Sequence, residues 1–267
     1  MRGFQIGSSV QSCTKGIWIW NQPIFEINDQ DENITLLIDT EGLNSSERST
    51  DIDLKIFSLT VLLSSSFIYN QMGPINEQTL TDLHLIINLV KYFGNLKTDL
   101  PSTKNLHLSK EQSSFNSPDF FWCLRDFYLD ISEQFETTND YMEDCLKPVL
   151  ESVSSDTLKK NQVRKVISNF FKVRDCRTLI RPVDDEETLA NIELIDWESA
   201  HIKNKFRQQS DEFIKYLKET CKIKIINNKK FNGQMLLGLS MDFCEAVNNN
   251  ETPTIENSVT RLVNEEV

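Results

Sequence analysis

Three short apolar runs, separated by sequence of helical period, constrain this chain more than any other feature. Ile34–Asp39 (ITLLID), Ser66–Asn70 (SFIYN) and Asp119–Leu124 (DFFWCL) are the length of strands, not helices. Continuous rather than alternating apolar character is how strands covered on both faces of a parallel sheet read. Between the first two, Ile52, Ile56, Leu59 and Leu63 fall at helical spacing in Asp51–Leu63. Between the second and third, Asn76–Phe93 carries Leu80, Leu83, Ile87, Val90 and Tyr92 on one face and stops at Gly94. Strands alternating with helices predict a doubly wound, mostly parallel α/β sheet.

The remaining segments fit around this frame. Gly16–Ile27 is aromatic and β-branched with Pro23 inside, which predicts a strand exposed on one side. Lys97–Asn116 is polar and Ser-rich and reads as a loop. Short helices follow Asp126, a charged helix spans Asp156–Phe171, and Cys176–Ile180 is a last strand stopped by Arg181-Pro182. Beyond Asp184 strand signals nearly vanish. Trp197–Thr220, Asn232–Val247 and Thr254–Val267 read as helices, the last two parted by Asn248–Asn250 and Pro253. The expected organisation is an α/β domain over residues 1–230 and the beginning of an all-helical domain over 231–267.

Composition excludes several classes. A formal charge of -12 repels phosphate backbones, so nucleic-acid binding is disfavoured, whereas a nucleotide pocket built from backbone N–H groups and a metal ion is not. The six Cys form no C-x-x-C pair and the three His are scattered, which argues against a disulfide framework or a zinc site. The cysteines read as free thiols of a reducing compartment. No signal peptide opens the sequence, and the apolar stretch Phe57–Leu63, broken by Ser58 and Thr60, is too short to span a bilayer. A cytoplasmic protein is expected.

Three segments carry chemistry. Asp39-Thr40-Glu41-Gly42 directly follows an apolar run, and a carboxylate there stands where α/β sheets bind ligands. In nucleoside triphosphatases such an Asp holds Mg²⁺, and the Gly lets a backbone N–H approach the γ-phosphate. Gln11–Gly16 places Thr14 in a polar loop ahead of that run, the position of a switch threonine whose hydroxyl completes Mg²⁺ coordination. Leu124-Arg125-Asp126 closes another apolar run, and an Asp there can accept from the N1 and N2 donors of guanine, a pair adenine lacks. Taken singly, each has a plainer reading: a strand-to-loop turn, a loop threonine, a surface ion pair.

Their order is more specific. GSSVQSCTKGIWIW, then LLIDTEGL, VLLSSSFIYN, FWCLRDFYLD and RPV resembles the guanylate-binding proteins, which stand with the atlastins among the dynamin-like large GTPases. The likeness is dense from Gly7 to about Asp130 and thinner beyond. It implies a P-loop-GTPase-like fold, GTP binding and Mg²⁺-dependent hydrolysis, and nucleotide-dependent pairing with a second copy or another family member through the G domain. It implies Thr14 and Asp39 as magnesium and nucleotide ligands, and Ser12, Glu41 and Gly42 as the catalytic residues that place water and γ-phosphate. Arg125 and Asp126 would read the base. Trp197–Thr220 would match the guanine-cap and dimer-facing region.

The sequence departs from the family in one respect: G-x-x-x-x-G-K-[ST] occurs nowhere in it. Gly3, Gly7 and Gly16 do not supply the pattern, and Lys15 follows Thr14. The family's catalytic arginine belongs to that same loop, and Arg48 stands in the wrong place to replace it. The expectation is that the chain begins inside the domain, after its first strand and phosphate-binding loop, and ends two helices into the helical domain. A vacant strand position is then expected between Ile34–Asp39 and Phe67–Asn70, where paired strands would lie about 4.8 Å apart. Two functional readings follow: a GTPase, or a non-catalytic relative that works by pairing with intact members.

Overall fold

The computed structural model describes residues 4, 14, 16–28, 31–40, 50–93, 117–150, 154–226 and 229–249. In chain order these hold β1 (Ile17–Ile19), β2 (Ile24–Asn28), β3 (Asp31–Thr35), β4 (Ile38–Thr40), α1 (Thr50–Leu63), β5 (Ser66–Met72) and α2 (Glu77–Phe93). Then come β6 (Asp119–Arg125), α3 (Thr138–Cys145), α4 (Ser155–Phe170), β7 (Arg174–Leu179) and α5 (Glu186–Ala190). A single 3-10 turn (Ile192–Leu194), α6 (Asn204–Thr220), β8 (Ile225–Ile226), β9 (Lys229–Lys230) and α7 (Gly233–Asn248) complete the order. They fall into two compact units, one built on Ser66–His84 and Asp119–Lys222 with Thr14, the other on Lys15–Ser65, Leu85–Pro118 and Ile223–Val267.

The first unit is a parallel sheet, β5-β6-β7, flanked by helices: the α/β architecture expected of a P-loop-GTPase-like domain. Central β6 explains its own sequence. Phe120 and Trp122 face one side, where they meet Phe67, Tyr69 and Phe171; the Phe120 and Phe171 rings stack at 4.4 Å. Phe121 and Cys123 face the other side, packed on Phe213, Tyr216 and Leu217 of α6. Both faces are dry, so the run DFFWCL carries no alternation. β5 alternates instead, with Phe67 and Tyr69 buried and Ile68 exposed. On that side α6 packs on Phe121 and Cys123, and Ile68 of β5 is 42% exposed. β5 has β6 on one side and, among the described residues, no strand hydrogen-bonded on the other.

Helix ends are fixed locally. Asn76 Oδ1 accepts from Thr79 N at 2.9 Å at the start of α2, whose Leu80, Leu83, Ile86, Ile87 and Val90 are buried. Thr137 and Asp140 form a capping box on α3, and Ser154 caps α4. Buried Arg164 on α4 ties the helices together, donating to Cys145 O at 3.0 Å and pairing with Glu77.

The second unit corrects two expectations. Ile34–Asp39 is not one strand of a parallel sheet; it breaks at Leu36–Leu37 into the ends of β3 and β4. β3 pairs antiparallel with β2 and β4 antiparallel with β1. Ile34 and Leu37 are 57% and 44% exposed. Pairing with Ile24–Asn28 closes a very short stretch of chain, which costs little loop entropy, and an apolar run serves a hairpin as well as a buried strand. Gly16–Ile27 likewise divides into β1 and β2 ahead of and behind Pro23. α1 buries Leu59, Val61, Leu62 and Leu63, and α7 buries Met235, Leu239 and Phe243. In the first unit the helix expected over Trp197–Thr220 starts only at Asn204; Trp197 precedes it and packs edge-on to Phe206 at 6.0 Å.

Lys97–Asn116 and Thr254–Val267 lie outside the described residues.

Candidate functional site

The C-terminal ends of β5, β6 and β7 converge on Arg125-Asp126. β6 ends at Arg125 because the next residue turns: Asp126 has φ of 52°, the left-handed region, the one non-glycine in that state among the described residues. An L-residue resists this conformation, Asp less than most, and it persists where the surroundings over-determine it. Here they do. Arg125 O accepts from Gly73 N at 2.8 Å, and Phe127 N donates to Leu179 O at 3.1 Å. The residues on either side of Asp126 are thus held by the two neighbouring strand ends. Phe127 is buried, while Asp126 keeps access to solvent.

The turn after β5 supports this arrangement. Gly73 adopts φ of 75°, which lets its N–H reach β6. Gln71 Nε2 donates to Pro74 O at 2.6 Å and its Oε1 accepts from Trp122 Nε1 at 2.9 Å. Arg125 turns its guanidinium across the sheet edge, donating from Nε to Asn70 Oδ1 at 2.6 Å. Beyond Asp126, Asp130 accepts from Ser132 N and Oγ at 2.9 and 2.7 Å, and these bonds hold its carboxyl below the usual range.

The remaining sequence-derived residues are placed separately. Thr14 belongs to the first unit and Asp39 to the second; both are half-buried and both have partners. Asp39 lies on β4 opposite Trp18. Ser12, Glu41 and Gly42 lie outside the described residues. Sequence reading missed Asn70, Gln71 and Gly73, although a polar pair closing an apolar strand before Gly-Pro was a legible signal.

A strained acid at the mouth of a parallel sheet invites comparison with known proteins. The family model for "Guanylate-binding protein, N-terminal domain" matches residues 1–225. The chain belongs to the guanylate-binding protein family. It is 35% identical to Guanylate-binding protein 7 of Mus musculus over 99% of this chain, and 34% identical to Guanylate-binding protein 4 of Homo sapiens over 97%. Guanylate-binding protein 6 of Pongo abelii is 36% identical over 99% of this chain. Each match covers only 40–41% of the relative, so the chain spans about two fifths of the length of these guanylate-binding proteins. Among the described residues no helix is long and apolar enough to cross a membrane.

Proposed function

We propose that this chain is a guanylate-binding-protein-type GTPase domain in which Asp126 selects the guanine base. The observation that carries this is the left-handed Asp126 at the end of the central strand, clamped by Gly73 and Leu179. Ligands of open α/β sheets bind outside the strand C-termini. A carboxylate held there offers two acceptors to adjacent N1–H and N2–H donors, and an adenine edge would leave them unmatched. Arg125 fixes the rim through Asn70.

For the phosphates, Thr14 offers a hydroxyl and Asp39 a carboxylate. Both are hard oxygen donors of the kind Mg²⁺ takes, alongside water and phosphate oxygens. Mg²⁺ held by donors of this kind would neutralise charge on the phosphates during transfer. Ser12, Glu41 and Gly42 would place the attacking water and the γ-phosphate. Nucleotide-dependent pairing through this domain, in a cytoplasmic setting, completes the reading. The alternative is a non-catalytic partner of intact family members; it predicts no turnover.

The test is a base switch. In Asp126→Asn one acceptor becomes a donor facing guanine N–H groups, a mismatch of about 1–3 kcal/mol. Calorimetry should show weaker GDP binding and stronger binding of xanthosine diphosphate, whose 2-oxo group accepts from the new amide. Unchanged GDP affinity removes Asp126 from the base site.

A further inference from the structure

β7 is an outer strand of the parallel sheet: β6 pairs with one side of it, and among the described residues no strand pairs with the other. An outer strand presents a row of N–H and C=O groups on which another chain can add a strand. The ladder fixes which groups these are. Val173 O accepts from Phe120 N at 2.9 Å, and Leu179 O accepts from Phe127 N at 3.1 Å. Val173, Asp175, Arg177 and Leu179 therefore turn their backbone groups toward β6. Cys176, Thr178 and Ile180 turn theirs outward, because successive residues of a strand alternate.

Three side chains occupy that outward row. Thr138, the first residue of α3, donates from Oγ1 to Cys176 O at 2.6 Å. Cys176 N donates to Asp175 Oδ1 at 2.9 Å. Ile180 N donates to Gln209 Oε1 of α6 at 3.0 Å. Asp175 is itself held in place: its Oδ2 accepts from Arg177 Nε and Nη2 at 3.0 and 2.7 Å, and the Arg177 guanidinium lies 4.3 Å from the centre of the Tyr216 ring on α6. Between Cys176 and Ile180 only Thr178 faces outward, and one residue is too short to seat a strand, usually about 5–6 residues long. We propose that Thr138, Asp175 and Gln209 form an edge guard that keeps β7 from adding the β7 strand of a second copy. An antiparallel pair of β7 strands centred on Thr178 would be self-complementary about a two-fold axis, with Cys176 of each copy opposite Ile180 of the other. Those are the two positions whose backbone groups the guard occupies. Pairing of this domain, where it occurs, then uses another surface.

Paired variants test the guard. Thr138→Val removes the hydroxyl and Gln209→Leu the acceptor, whereas Thr138→Ser and Gln209→Glu keep them. The full chain is followed by analytical ultracentrifugation and by hydrogen exchange of the Cys176, Thr178 and Ile180 amides. The Thr138→Val/Gln209→Leu double variant should self-associate at a concentration lower than wild type by roughly tenfold or more, and those three amides should gain protection as it does so. The Thr138→Ser/Gln209→Glu control should behave as wild type. A folded double variant that associates no more readily than wild type overturns the proposal. So does association that leaves the three amides unprotected, or that the control shows equally. If circular dichroism shows the double variant unfolded, Gln209→Leu alone is tested against a synthetic peptide of residues 173–180. Peptide binding by that variant and not by wild type supports the guard, and the same result for both overturns it.

Discussion

At the scale of the residue, Asp126 combines backbone strain with a role for its side chain, and the two can be separated. A left-handed φ costs an ordinary L-residue about 1–2 kcal/mol and glycine nothing. Glycine also makes the unfolded chain more flexible, which offsets much of that relief. Asp126→Gly is therefore expected to unfold in urea within about 1 kcal/mol of wild type, and Asp126→Ala to be the less stable of the two. Both should lose preference for guanine. An Asp126→Gly variant less stable than Asp126→Ala would show that left-handed strain does not govern stability at this position.

At the scale of the element, Lys224 links the segment before β8 to the end of α1. Its stem is partly accessible, but its ammonium end lies deep and donates to Ser64 O at 2.7 Å. Burial pushes its pKa down from 10.5 to about 7. Below pH 7 both folded and unfolded chains carry the proton, so the cost of the buried charge is fully present. Between pH 7 and 10.5 the unfolded chain binds more protons, and stability rises with pH. Cys123, pushed by burial from 9.0 up to about 11, acts in the opposite sense above pH 9. The window from pH 7 to 9 thus isolates Lys224. Urea midpoints should climb across it, and Lys224→Met should flatten the climb and add roughly 1–3 kcal/mol at pH 7. A flat wild-type profile would mean that the ammonium is well solvated.

The elements also show where sequence reading succeeds. β6 and α2 were legible because burial on two faces leaves an unbroken apolar run, Phe120–Leu124, and burial of one helical stripe leaves a helical period, Leu80–Val90. Ile34–Asp39 carries the same apolar signature but lies in hairpins, because hydrophobicity reports burial and not the partner strand. The false start at Trp197 has a similar cause: an aromatic that packs on Phe206 from outside the helix is indistinguishable in sequence from one inside it.

At the scale of the molecule, two compact units share the chain. The first carries the parallel sheet and the Asp126 mouth. The Arg125-Asp126 turn was legible because an acid after an apolar strand is a local pattern. Gly73 and Gln71 were not assigned roles, because their contribution depends on strand ends that only the fold brings alongside. Thr14 and Asp39 belong to different units, and their joint role remains part of the proposal. The central claim, guanine recognition by this sheet mouth, has a direct measurement. Fluorescent GDP and ADP are titrated into the chain at equilibrium, with and without Mg²⁺. The account predicts GDP binding at least roughly 100-fold tighter than ADP, because an adenine leaves the Asp126 acceptors unmatched. Equal affinities for the two nucleotides, or no GDP binding, would contradict it.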